Sequence, residues 1–217
     1  KKIKLKIKKM TRVDQNLRKK QWKEWKNLVR ENTNKNDPKL LAMVQKMAKE
    51  LLRVDKKNTL EMKKIISKYG WPGRSLVGKK GALNAWLLVQ HADHDVDFQE
   101  KCLKLLTAAA EKGEVDKKRV AYLTDRVLLH RGKKQIYGTQ LRSFPQKGKT
   151  ILKPQPIRNR KKIDELRKSM ELEPLEIYLD IILTSLCIDL RCKRSRHLEA
   201  CSRYRRSSSP DHRPFHR

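Results

Sequence analysis

Along most of the chain apolar residues recur at steps of three and four, the spacing of helices that bury one face. Val13, Leu17, Trp25, Leu28 and Val29 share such a face over residues 12–34. The loop signal Asn34-Lys-Asn-Asp-Pro38 interrupts it, and Leu41, Val44, Met47, Leu51 and Leu52 set out a second helix. Asn58 or Thr59 is placed to cap a further helix with Leu60, Met62, Ile65 and Ile66, stopped by Gly70. GWPGRSLVGKK (70–80) reads as a turn-rich loop, and helical spacing returns over 81–92 with Ala82, Ala85, Trp86, Leu88 and Val89. Asp95 or Asp97 caps a helix carrying Phe98, Cys102, Leu105, Leu106 and Ala109, ended by Gly113. Asp116 caps another with Val120, Leu123, Val127 and Leu128, ended by Gly132.

Beyond Gly132 the texture changes. QIYGTQLRSF (135–144) is rich in strand formers, and Thr150-Ile-Leu-Lys lies beyond a turn, so a short β-hairpin is expected near 135–153. Residues 162–183 resume helical spacing through Ile163, Leu166, Leu172, Leu175, Tyr178 and Ile182. The fold class is therefore mainly α: a single helical domain of five or six helices over 12–183, with a small hairpin. KKIKLKIKKM at the start alternates as a strand would, but an isolated strand is not stable. Residues 1–11 are expected to be a basic arm, disordered until it meets an anion. Residues 184–217 lose all apolar periodicity and are expected to be a basic disordered tail.

Charge changes the picture of partners more than of fold. The 217 residues hold 55 Lys and Arg against 24 Asp and Glu, a formal net charge of +31. The excess is +14 over residues 1–60 and +8 over 141–170, whereas 171–190 carry −5. Such a chain favours nucleic acid or another polyanion as partner. No run of about 18 apolar residues occurs, so no membrane span is expected. No secretory signal is visible, which places the chain in the cytoplasm and its thiols in a reducing compartment. Cys102 reads as a buried free thiol. Cys187, Cys192, His197 and Cys201 have a spacing that could close a zinc site, in surroundings too rich in Arg and Ser to favour one.

Five motifs stand in order: GWPGRSLVG (70–78), AWLLVQHADHD (85–95), AYLTDRVLL (121–129), GKKQIYGTQ (132–140) and LEPLEIYL (172–179). Together they resemble a bacterial family classed as a domain of unknown function, over roughly residues 12–182. The resemblance implies a mostly helical cytoplasmic bacterial domain with a small β element. It brings no cofactor and no catalytic residue.

The motifs also hold the candidate chemistry. His91, Asp125 and Tyr137 are the catalytic candidates, and Arg74, Arg126, Gln135, Thr139 and Gln140 the ligand-binding ones. If the helix at His91 ran on, His91, His94 and Asp95 would share a face and could hold a divalent metal; otherwise Asp95 caps the next helix and His94 is exposed. Asp125 could orient His91 or bind Arg74, and Arg126 could offer its planar fork to a phosphate. On a strand, Gln135, Tyr137 and Thr139 would point one way, suited to a polar small molecule or a base. No cofactor is assigned, because P-loop, dinucleotide, nucleophile-elbow and zinc-protease patterns are missing. Two readings follow. One is a non-enzymatic module that binds nucleic acid or another polyanion. The other is an enzyme or small-ligand protein whose polar site lies around His91, Asp125, Arg126, Gln135 and Tyr137.

Overall fold

A computed structural model of the chain describes residues 1–31, 37–146 and 149–189. The fold is mainly α with a small hairpin. Seven helices are found among the described residues: α1 (Lys2–Glu31), α2 (Pro38–Tyr69), α3 (Arg74–Gln90), α4 (Val96–Glu111), α5 (Lys117–His130), α6 (Ile163–Ser169) and α7 (Leu175–Asp189). Strands β1 (Leu141–Gln146) and β2 (Lys149–Pro154) pair antiparallel, Leu141 opposite Pro154 and Gln146 opposite Lys149. The helical region packs as two compact units, residues 1–123 and residues from Thr124 on, with the border inside α5.

In the first unit α3 is the central helix. Val77, Ala82, Ala85, Trp86, Leu87, Leu88 and Val89 are all buried, so it is apolar nearly all round. It packs against α1, α2 and α4. α1 and α2 run antiparallel: Lys6 pairs with Glu61, Arg18 with Asp55, and Gln21 donates to the Met47 carbonyl at 3.0 Å. The basic arm expected over residues 1–11 is instead the first part of α1. Its alternation of Lys with Ile and Leu also sets Ile3, Ile7 and Met10 on one helical side, and Ile7 is fully buried.

The helix boundaries differ from the expectations where tertiary contacts outweigh local signals. Asn58 and Thr59 do not start a helix. They lie inside α2, where the Thr59 hydroxyl donates to the Asp55 carbonyl at 2.8 Å. Gly70 does end α2, with φ at 70° and its N–H bonded to the Ile66 carbonyl. The 70–80 segment is mostly helical, because α3 begins at Arg74 and is only kinked at Gly78. Asp95 caps α4 by accepting from the Phe98 N–H at 3.1 Å. The helical run expected over 162–183 is split into α6 and α7. Glu171, with φ at 56°, and Pro174 lie between them. α7 extends to Asp189, past the expected boundary at 183. The rest of the tail, 190–217, lies outside the described residues, as do Cys192, His197, Cys201 and the side chain of Cys187.

Cys102 is fully buried and free, as expected. Burial, and after it the charge of Asp95, pushes its thiol up to about 12 from an ordinary 9.0. The neutral thiol is thus the form the fold favours. Its contribution to stability is complete below about pH 9 and is lost as pH rises towards 12. At pH 8 the native chain is expected to leave Cys102 unalkylated by iodoacetamide until the fold opens. Peptide mass mapping with and without urea checks this, and rapid native labelling at Cys102 would contradict it.

Candidate functional site

His91 ends α3, and its ring turns towards α1. Nδ1 lies 3.1 Å from both carboxylate oxygens of Asp14, which is fully buried. Arg18, one turn further along α1, reaches Asp14 through Nε at 2.9 Å. Its Nη2 lies 2.7 and 2.9 Å from the two oxygens of Asp55 on α2. Gln15 adds a 2.7 Å bond to Asp14. Three helices thus meet at two carboxylates, an imidazole and a guanidinium. Among the described residues, ligand atoms of Asp14, Asp55 and His91 lie within 4.8 Å of one another.

The two carboxylates titrate in opposite directions. Burial pushes Asp14 up, but the His91 hydrogen bond, the charges of His91 and Arg18, and the Gln15 bond outweigh it and hold Asp14 at about 2. At Asp55 burial prevails over Arg18, and the carboxyl is raised above its ordinary range.

The trio of His91, His94 and Asp95 is not the set brought together. α3 stops at His91, so the helix does not run on to align them. His94 is exposed, and Asp95 holds the cap of α4 and Lys63 at 2.6 Å. Arg74 pairs with Asp116 and donates to the Gly113 carbonyl at 3.0 Å. Ser75 donates to Glu114 through its N–H at 2.8 Å and its hydroxyl at 3.0 Å. The GWPGR corner is therefore tied to the turn before α5.

Asp125, Arg126, Gln135, Tyr137, Thr139 and Gln140 come together in the second unit, in an arrangement the strand reading did not foresee. Residues 135–140 form a loop wound about the fully buried Asp125 carboxylate. That carboxylate accepts from the N–H groups of Ile136 at 2.7 Å, Tyr137 at 3.0 Å and Thr139 at 2.9 Å, and from the Thr139 hydroxyl at 2.9 Å. Its partners are thus neither His91 nor Arg74. The hairpin starts only at Leu141, because this carboxylate takes the backbone donors that a strand would pair.

Gln135 is fully buried and closes the loop. It accepts from the Gln140 N–H at 3.0 Å and donates to the carbonyls of Gln140 at 3.1 Å and Gln155 at 2.7 Å. Arg126 donates to the Gln140 side chain at 3.3 Å. From the other side, Arg167 donates to the Tyr137 carbonyl at 2.6 Å and the Tyr178 hydroxyl to the Thr139 carbonyl at 3.0 Å. At Gly138 φ is 68°, and an added Cβ would come within 3.2 Å of Leu175 and 3.3 Å of Ile157. All these bonds are internal, and together they build the loop.

Asp14, Arg18 and Asp55 were missed as site residues. For the two on α1 the sequence carries a signal: Thr11, Asp14, Arg18 and Gln21 repeat at three and four on the side of α1 that buries Ile7. Polar residues on a buried stripe are uncommon unless they find partners there.

No helix among the described residues is long and apolar enough to cross a membrane. No curated protein and no solved structure matches the chain. A family model covers residues 2–191, including the segment expected to be a separate arm and the end of α7. Its span embraces both the three-helix polar cluster and the Asp125 loop, and the chain belongs to this family of unknown function, DUF6624.

Proposed function

We propose that the chain is a non-enzymatic module that binds the phosphate backbone of nucleic acid through α1. The observation that carries this reading is one-sidedness. Lys8, Lys9, Arg12, Lys19, Lys20 and Lys23 are all exposed. At about 100° per residue they fall within an arc of roughly 120°, opposite the stripe of Ile7, Thr11, Asp14 and Gln21. They span roughly 22 Å at about 1.5 Å per residue. Among the described residues, the carboxylate that pairs with this row is Glu24, 3.9 Å from Lys20. Ile7 is buried, and the exposed Leu5, Val13 and Trp25 are spread around α1 at about 100° per residue, so they form no continuous row to sink into a bilayer interface. A phosphate backbone needs only the cations.

The test is fluorescence anisotropy of labelled duplex DNA and single-stranded RNA across a KCl series. Six contacts predict a slope of log affinity against log salt of roughly −5 on duplex DNA. The triple variant Lys8→Glu, Arg12→Glu, Lys19→Glu should weaken binding and flatten that slope. Absence of binding at low salt overturns the reading. So does an unchanged slope in the variant, which would assign the contact to another basic segment, and so does tighter binding to phosphatidylserine vesicles than to either nucleic acid.

A further inference from the structure

We infer that Asp14, Asp55 and His91 form a divalent-cation site between α1, α2 and α3, with the Arg18 guanidinium as the counter-charge an arriving ion replaces. The donors come from three helices and already converge, with their ligand atoms within 4.8 Å of one another. One imidazole and two carboxylates suit manganese, iron or zinc better than calcium or magnesium, which favour oxygen alone. Three protein ligands leave further coordination positions for water.

The geometry supports exchange with Arg18. Its guanidinium now bridges the two carboxylates, holding Asp14 through Nε and Asp55 through Nη2, and a divalent ion held by both would take over that bridge. Asp14 is sealed, but the Arg18 side chain is 20% exposed, so the guanidinium has a route outward that the carboxylate lacks. Ion binding would turn His91 Nδ1 from a donor to Asp14 into a ligand, its proton moving to Nε2 or to solvent.

A second observation comes from α2. Asn58, three residues beyond Asp55 and on the same side of the helix, is 6% exposed, and its Nδ2 has no hydrogen-bond partner. A buried amide donor in that state calls for an acceptor, and it lies one helical turn along α2 from the Asp55 ligand.

Manganese is the probe, because it prefers oxygen and nitrogen donors and leaves the tail thiols aside. The full chain is titrated with Mn²⁺ and free ion is read by electron paramagnetic resonance, with circular dichroism to check each variant's fold. One site is expected in the unaltered chain. His91→Ala should weaken it by about tenfold or more, and Arg18→Met should tighten it by about tenfold by removing the competing charge. Three results overturn the site: no Mn²⁺ uptake by either the unaltered or the Arg18→Met chain, binding that survives His91→Ala in a folded protein, or uptake by the Arg18→Met chain alone. The last would make the guanidinium the permanent partner of both carboxylates.

Discussion

Asp125→Ala is expected to lower the stability of the second unit by about 3–5 kcal/mol, among the larger losses a single substitution causes. Its carboxylate is fully buried and accepts from three backbone N–H groups and one hydroxyl. Leaving four buried donors without partners would cost about 4–12 kcal/mol if the loop stayed shut. Opening the loop to water returns part of that, which sets the lower figure. Opening also releases the 2.6 Å bond from Arg167 to the Tyr137 carbonyl and the bond from Tyr178 to the Thr139 carbonyl. The damage should therefore spread towards α6 and α7. Asp125→Asn keeps one acceptor oxygen and should lose roughly half as much. Urea denaturation measures the loss, and hydrogen exchange at the amides of Ile136, Tyr137 and Thr139 locates it. If those amides stay protected in the alanine variant, the carboxylate does not organise the loop.

Arg18→Met should produce the second large effect, in the first unit. The substitution keeps most of the apolar stem and removes the guanidinium that bridges Asp14 and Asp55, leaving His91 alone beside the two carboxylates. A sealed pair broken in this way loses about 3–5 kcal/mol. Here a fifth of the Arg18 side chain is exposed, so a loss of roughly 2–4 kcal/mol is expected. The pH dependence gives the sign. Asp14, held at about 2 against an ordinary 3.8, stabilises the native chain above its ordinary value. That stabilisation is lost as pH falls through about 2. Asp55, raised by burial, runs the other way and opposes folding most when it is ionised. Without Arg18 both carboxylates take up protons at higher pH than they do now. The gap between native and variant chains should therefore be full near neutrality and narrow in acid. Thermal unfolding from pH 7 to pH 3 measures it. A gap that widens in acid would contradict the ion-pair account.

The two clusters show how differently the chain's signals carry. The Asp95 cap of α4 was legible because the carboxylate and the N–H it accepts are three residues apart, and Gly70 as the stop of α2 was legible for the same reason. Buried Cys102 was legible because its position on an apolar helical face depends only on spacing. The candidate residues Asp125, Gln135, Thr139 and Gln140 could be picked out as unusual polar groups within a short stretch. Their joint purpose could not, since a carboxylate gathering donors 11 to 14 residues away leaves no periodic trace.

The sequence thus decided the local matters: where apolar faces lie, where most helices stop, and that the chain is mainly α with one hairpin. Those follow from interactions within a few residues, which repeat with the helical period. Tertiary packing decided the remainder. It drew residues 2–11 into α1 because Ile7 could be buried, and kept Thr59 inside α2. It also joined His91 to Asp14 across 77 positions. Periodicity states which side of a helix turns inward, but the helix it meets there is chosen by the packing of the whole unit. The chemistry of a buried polar group depends on that partner.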